Sequence, residues 1–263
     1  MNPSTPNADD IYQLALLYEE QHADFTEDLD FHCQLAASYG GPILELGVGG
    51  GRVGLHLARA GFNVTGIDLQ PAMVALANQR AAEQAVSSRF KAVCGDVRHI
   101  DQVISTQSAP FSLVICPFNS LSHLLTSVDL QACLAGVRQC LHTDGAFVPS
   151  LFVPRPIWLY SASTGLRCIA DFWSESLRQA IVVYEQNRYD PITQLNHLNW
   201  YFEPQGAAEL WERSFALRLW YPQELAAQLT HAGLTVAQIL GDYSTAPATA
   251  DSLVFSSIAL RKL

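Results

Sequence analysis

The sequence predicts an α/β protein built on a doubly wound sheet, and three observations predict it. From Ile43 onward short apolar runs alternate with helical patterns, a glycine-rich turn joins the first run to the first helix, and the alternation breaks once, over residues 153–219. Near-continuous apolar strands separated by helices imply a parallel sheet covered on both faces. At 263 residues the chain has room for one large domain or for a domain carrying a substantial insertion, since single domains run to ~100–200 residues.

The elements follow in order. Ile11, Leu14, Ala15 and Tyr18 fall at i, i+3, i+4 and i+7 behind Asp9 and Asp10, which predicts a short amphipathic helix. A second helix is expected from about Glu27 to Ser38, with Phe31 and Leu35 one turn apart, closed by the breaker cluster Tyr39-Gly40-Gly41-Pro42. Residues 1–40 thus form an N-terminal helical segment. The sheet domain, 41–152, reads as strand 43–46, helix 51–60, strand 62–68, helix 71–84 opened by Pro71, strands 90–96 and 111–116, helix 127–141, a turn over 142–145, and strand 146–152.

Residues 153–219 hold four β-rich runs, at 166–173, 180–186, 195–202 and 215–221, joined by short turns such as Tyr189-Asp190-Pro191, and an antiparallel insertion is expected. The doubly wound pattern resumes over 220–263 with a helix from Pro222 to His231, then strands 234–240 and 253–260. Only a loop joins those last two strands, so they can pair antiparallel.

Composition narrows the partners. Fifteen Lys and Arg against 25 Asp and Glu give a formal charge of −10, which repels a phosphate backbone and makes nucleic acid an unexpected partner. Cys33, Cys94, Cys116, Cys133, Cys140 and Cys168 form no CxxC pair and no zinc-like spacing with histidine, and most lie in apolar runs, so they read as reduced core residues and no metal site is expected. Neither a signal-peptide pattern nor an 18-residue apolar stretch occurs, and a cytoplasmic location without a membrane partner is the expectation.

The chemistry gathers at Ile43-Leu44-Glu45-Leu46-Gly47-Val48-Gly49-Gly50-Gly51-Arg52, where a glycine turn lets a ligand approach the backbone and the start of a helix. Asp68 ends the second strand about 20 residues later, a position from which a carboxylate reaches ribose hydroxyls. Asp96, ending the third strand, is on the same carboxyl edge and could accept from an adenine amino group. Two frames compete: GxGxxG at Gly49, Gly51 and Gly54, which suits a dinucleotide, and ExGxGxG at Glu45, Gly47, Gly49 and Gly51. The second fits better, because the first gives no role to an acidic residue at the end of a buried strand.

Residues 43–80, ILELGVGGGRVGLHLARAGFNVTGIDLQPAMVALANQR, together with CGDVRHI and FSLVICPFNSLSHLLT, resemble the class I S-adenosylmethionine-dependent methyltransferases, specifically the small-molecule group that includes glycine N-methyltransferase-like and aminosugar N,N-dimethyltransferase enzymes. The resemblance implies a Rossmann-like seven-stranded sheet with its last strand antiparallel, and the N-terminal segment as a lid. It implies that Gly47, Gly49 and Gly51 approach the methionine part of S-adenosylmethionine, that Asp68 holds the ribose, and that Leu69 and Met73 flank the adenine. Asp96 and Val97 would bind the adenine edge, Cys116, Pro117, Phe118 and Asn119 would line the methionine side, and Tyr12 or Tyr18 would close over the cofactor. Gln70 stands where the family commonly has serine. A small-molecule acceptor is the implied partner, with a homodimer left open. Cys116-Pro117-Phe118-Asn119 replaces the Asn/Asp-Pro-Pro-Tyr/Phe tetrad of enzymes that methylate nucleic-acid amino groups.

Methyl transfer is an in-line displacement whose main demand is alignment, and a base serves only an acceptor that arrives protonated or as a weakly acidic hydroxyl. His123, just past the fourth strand, is the best-placed candidate, with capping of local backbone or orientation of the cofactor as its other readings. Arg52 could meet the methionine carboxylate at the helix start or swing into solvent. In the insertion, half of Trp158, Tyr160, Trp173, Tyr184, Asn196, His197, Asn199, Trp200, Tyr201 and Arg218 should shape an acceptor pocket, because strand alternation turns every second side chain away. Arg155 and Arg167 could bind an acidic acceptor or remain solvated. The expected activity is methyl transfer to an amine or hydroxyl, against two alternatives: an NAD(P)-dependent oxidoreductase, and a non-catalytic S-adenosylmethionine-binding protein.

Overall fold

A computed structural model of the chain describes residues 8–104, 110–155, 159, 165–205 and 210–261, with side chains from residue 15 onward. It comprises two compact units, one of Glu27–Pro154 with Arg218–Leu263, the other of the residues before Glu27 with Arg155–Leu217. The N-terminal helices therefore part company: α1 (Ala8–Gln21) belongs to the smaller unit and α2 (Leu29–Tyr39) to the larger.

The larger unit continues with β1 (Ile43–Leu46), α3 (Arg52–Arg59), β2 (Val64–Asp68), α4 (Pro71–Glu83), β3 (Phe90–Cys94), α5 (Ile100–Val103), β4 (Phe111–Cys116), α6 (Ser127–Cys140) and β5 (Leu141–Phe152). The chain then supplies β6 (Arg167–Ser174), β7 (Gln179–Asp190), β8 (Leu195–Pro204) and β9 (Trp211–Arg218) to the smaller unit. It returns with α7 (Pro222–His231), β10 (Leu234–Gly241) and β11 (Val254–Arg261). The seven-stranded sheet has the order β10-β11-β5-β4-β1-β2-β3, parallel except for β11, which runs antiparallel to both neighbours.

Strand alternation explains the two cores. Leu44, Leu46 and Val114 face one way and pack with Leu130 and Leu134 of α6 and Leu225 and Leu229 of α7. Ile43, Leu113 and Ile115 face the other way and pack with Phe31 and Leu35 of α2, Leu57 of α3 and Ala77 of α4. Among the described residues no helix is long and apolar enough to cross a membrane.

Three expectations need correction. A short helix, α5, stands between the third and fourth strands, where none was expected; its first residue, Ile100, is buried against Gly136 of α6. The expected turn at 142–145 is a bulge inside β5, since the register with β4 jumps from Leu141 to Ala146 and residues 142–144 are exposed. The last run of the insertion begins at Trp211 and ends at Arg218, because Trp220 is buried in the core of the larger unit and the Arg218 guanidinium lies 4.7 Å from its ring centroid.

In the smaller unit, β6, β7, β8 and β9 form a four-stranded sheet in that order. Leu17 of α1 packs on Ile181, Val183 and Phe202. Glu20 fastens the same helix to the β6–β7 turn, accepting from the Ser174 hydroxyl at 2.6 Å and the Ser176 N–H at 2.9 Å.

Close packing of α3 on β1 depends on Gly54. A Cβ there would lie 2.5 Å from Glu45 Oε2 and 2.7 Å from Phe90 Cε2. Helix propensity alone favours alanine over glycine by ~1 kcal/mol, but the overlap works against it. Gly54→Ala is expected to lose about 1–3 kcal/mol of stability in urea unfolding, and a stabilised variant would show that the contact is loose.

Candidate functional site

The turn between β1 and α3 is held by backbone and by two side chains, the Asp68 carboxylate and the Arg80 guanidinium. Gly47, Gly49 and Gly51 have φ of 70°, 53° and 89°, the region where an L side chain is strained. The N–H groups of Gly47 and Val48 both donate to the Ile67 carbonyl, at 2.9 and 3.0 Å. Asp68 accepts from the Gly49 N–H through one oxygen and from the Gln70 N–H through the other, each at 2.9 Å. Arg80 of α4 donates to the Gly50 carbonyl at 3.0 Å, a support that sequence reasoning missed. Gly54 lies inside α3 with no positive φ, so the positive-φ glycines fall on the ExGxGxG frame.

Around this turn, Leu69 is 59% exposed at the end of β2, and Met73, in the first turn of α4, is half-buried. Asp96 caps a 3-10 turn, Val97–His99, by accepting from the Arg98 N–H, and its carboxylate also pairs with the Arg98 guanidinium at 2.6 Å. That pairing, chiefly the side-chain hydrogen bond, holds the Asp96 carboxyl below the usual range. Val97 is half-buried on the same turn. Cys116 and Pro117 are buried, and burial pushes the Cys116 thiol well up, so no thiolate is offered there. Phe118 and Asn119 adopt φ of 51° and 61°, and Asn119 Oδ1 accepts from the Phe152 N–H at 2.6 Å. His123 ends the next 3-10 turn, Ser120–His123, and is exposed.

Behind the loop lies a buried polar cluster not visible in the sequence. The fully buried Asp28 carboxylate accepts from Arg52 Nη1 at 2.5 Å and Nη2 at 2.7 Å. Arg52, read from the sequence as meeting a ligand or solvent, thus pairs with an acidic residue of its own chain; its guanidinium also lies 5.5 Å from the Phe118 ring centroid. Glu45 is 2% exposed, its carboxyl directed into the interior where the Gly54 N–H bonds it. Burial raises Glu45 to about 8 against the pull of Arg52, with Asp28 and Asp68 adding to the rise. His32, fully buried with Nε2 3.8 Å from Asp28, is lowered to about 4 by burial, which outweighs Asp28. Burial, then Asp28, pushes the Tyr243 hydroxyl up.

In the smaller unit, Tyr18 stacks on Trp200 with ring centroids 6.2 Å apart. The side chain of Tyr12, and Trp158 and Tyr160 altogether, lie outside the described residues. The β7–β8 register settles which half of the insertion residues shares a face. Asn196 and Trp200 lie with buried Leu198 and Phe202 on the side that packs on Leu17, and Trp200 donates to Glu185 at 3.0 Å. Tyr184, His197, Asn199 and Tyr201 lie on the opposite side. Trp173 is exposed, Arg167 pairs with Glu185 at 2.7 Å, Arg155 is half-buried, and Arg218 pairs with Glu224 within the larger unit.

The buried cluster gives stability a pH signature. Between its ordinary 4.5 and about 8, Glu45 keeps a proton in the folded state that the unfolded chain has released, so stability falls as pH rises. Between about 4 and 6.5 the unfolded chain protonates His32 and the folded protein does not, so that contribution rises with pH. The two oppose one another up to 6.5, above which only the Glu45 loss remains. Urea unfolding should therefore show wild type losing up to ~2 kcal/mol between pH 6.5 and 8, and Glu45→Gln losing much less. Equal losses would mean that Glu45 is not the group that titrates.

Known proteins resemble this chain in sequence and in fold. Residues 43–145 match a family model described as a methyltransferase domain. Ubiquinone biosynthesis O-methyltransferase of Xylella fastidiosa is 30% identical over 88 residues, 34% of this chain and 34% of that protein. The first curated relatives are thus matched over about a third of their length. The CcbJ methyltransferase from Streptomyces caelestis is 25% identical, with a TM-score of 0.73 over 98% of this chain and 97% of that one. SAM-bound CalS10, an amino pentose methyltransferase from Micromonospora echinaspora, has the same fold at 19% identity and a TM-score of 0.63, covering 94% and 96% of the two chains. With the glycine turn, Asp68 and the reversed last strand in place, residues 43–145 form a methyltransferase domain of the S-adenosylmethionine-dependent kind, and S-adenosylmethionine is the cofactor of that domain.

Proposed function

We propose that this protein transfers the methyl group of S-adenosylmethionine to an amine or hydroxyl of a small molecule. The observation that carries this reading is the turn tied to β2 through Asp68, which brings glycine backbone, a carboxylate and exposed Leu69 to one edge of the sheet. These residues fit the cofactor. A 59% exposed leucine beside a ribose-reaching carboxylate suits a flat purine, and α3 opens at Gly51 without a side-chain cap. The formal charge of −10 supports a small acceptor over nucleic acid.

When bound, the cofactor supplies a methyl group on positively charged sulfur. The chain's own work is to hold the two partners in line and to exclude water. Asp68 would hold the ribose, Leu69 and Met73 would flank the adenine, and Cys116–Asn119 would line the methionine end. An amine that arrives neutral needs no base before transfer. A hydroxyl does, and exposed His123 at the carboxyl edge is the residue we assign to take that proton.

The test is thermal stabilisation by S-adenosylmethionine, S-adenosylhomocysteine, NAD and NADP. At ligand concentrations far above Kd, a shift of about 3–8 °C is expected from the adenosyl-sulfur ligands alone, and it should be lost in Asp68→Ala. Stabilisation by NAD alone would overturn the reading. With acceptors in hand, His123→Ala should lower kcat by roughly 10²-fold on a hydroxyl acceptor and by less than about threefold on an amine. Equal losses on both would remove His123 from the role of base.

A further inference from the structure

We propose that Asp28 is a positioning residue for the amino-acid end of the cofactor, acting through Arg52; this rests on the cofactor reading above. Asp28 stands at the N-cap of α2, where an aspartate ordinarily accepts from its own helix, yet it makes no such bond. Both of its oxygens instead take the two Nη atoms of Arg52, 24 residues away, with the carboxylate fully buried. Such a diversion gives up a local cap for a fixed guanidinium, and end-on bidentate pairing fixes direction as well as distance.

The surroundings leave Arg52 as the counter-charge. His32 faces Asp28 at 3.8 Å but is neutral at working pH, Glu45 is protonated through neutral pH, and Tyr243 stays un-ionised. Arg52 is the first residue of α3, directly after Gly51, and its guanidinium also faces the Phe118 ring. One side chain therefore ties α2, the glycine turn and the turn after β4 together. Because β4 and β2 flank β1 on opposite sides, that tie is on the far side of β1 from Asp68 and Leu69. It belongs with the amino-acid end, and the ribose and adenine end is left out of it. Pairing with Asp28 also answers the question the sequence left open, since a half-buried guanidinium clamped by both oxygens of a buried carboxylate does not swing into solvent.

Two ligands separate this role from general support of the fold. S-adenosylhomocysteine carries the amino-acid chain, and 5′-methylthioadenosine has the same adenosine and sulfur without it. By titration calorimetry, Asp28→Asn should weaken S-adenosylhomocysteine about tenfold or more, the scale of a charge-assisted contact, while 5′-methylthioadenosine stays within about threefold. Should Asp28→Asn fail to fold with Arg52 left unpaired, the double variant Asp28→Leu, Arg52→Met removes both charges together and is expected to fold and to give the same selective loss. A folded variant that keeps the wild-type ratio of the two affinities would overturn the proposal. Wild-type protein that binds neither ligand would overturn the cofactor reading itself, so the two failures are distinct.

Discussion

The site depends on how a strand buried on both faces gives way to a helix within five residues. β1 ends at Leu46 and α3 begins at Arg52, so the chain must reverse its spacing while staying under β2 and β4. Positive φ at Gly47, Gly49 and Gly51 makes the turn sterically accessible, but accessibility alone would leave it free to move. Asp68 removes that freedom. Its two oxygens join the Gly49 N–H of the turn to the Gln70 N–H ahead of α4, so the carboxylate at the end of β2 is the clasp of the loop. Asp68 thereby joins the β1–α3 turn to the start of α4, and Arg80 adds a second tie at the Gly50 carbonyl.

A second constraint works from beneath. Burying Asp28, Glu45, His32 and Arg52 in one region is costly unless the charges cancel. They do so by different means: Asp28 and Arg52 pair, Glu45 keeps its proton, and His32 gives its proton up. The result is a neutral but directional interior, with two groups near the loop whose protonation changes on either side of neutrality. Glu45, the acidic residue that opens the ExGxGxG frame and was expected at the cofactor site, is turned into the interior instead, as the buried end of β1 on which Gly54 of α3 closes.

Local patterns made most of the larger unit legible. Apolar runs bounded by glycine and proline placed β1, β2, β3 and β4 to within two residues at either end, and Pro222 and His231 bound α7 as expected. Features set by distant partners were not legible. Nothing in the spacing of Asp28 and Arg52 announces a pair, because the aspartate sits where a helix cap is the obvious reading. Arg98, which pairs with neighbouring Asp96, also reaches Asp129 of α6 at 3.1 Å, a partner 31 residues away. The four residues 142–145 have turn chemistry and do leave the ladder, but pairing on both sides of them makes a bulge of what would otherwise be a loop.

The smaller unit shows why alternation alone stops short of a site. Along β8 both phases carry aromatic and amide side chains, so the period of two predicts two faces without saying which is inward. The phase is set by a residue far off in sequence: Leu17 of α1 packs with Phe202, and the register then carries Leu198, Asn196 and Trp200 to the same side. Buried Asn187 donates there from its amide to Asn196 Oδ1 at 3.2 Å, which ties the two polar side chains together on the apolar face. The side chains spent on that core are thus Asn196 and Trp200. Along β7 and β8 the opposite face carries Tyr184, His197, Asn199 and Tyr201, which that packing leaves unspent.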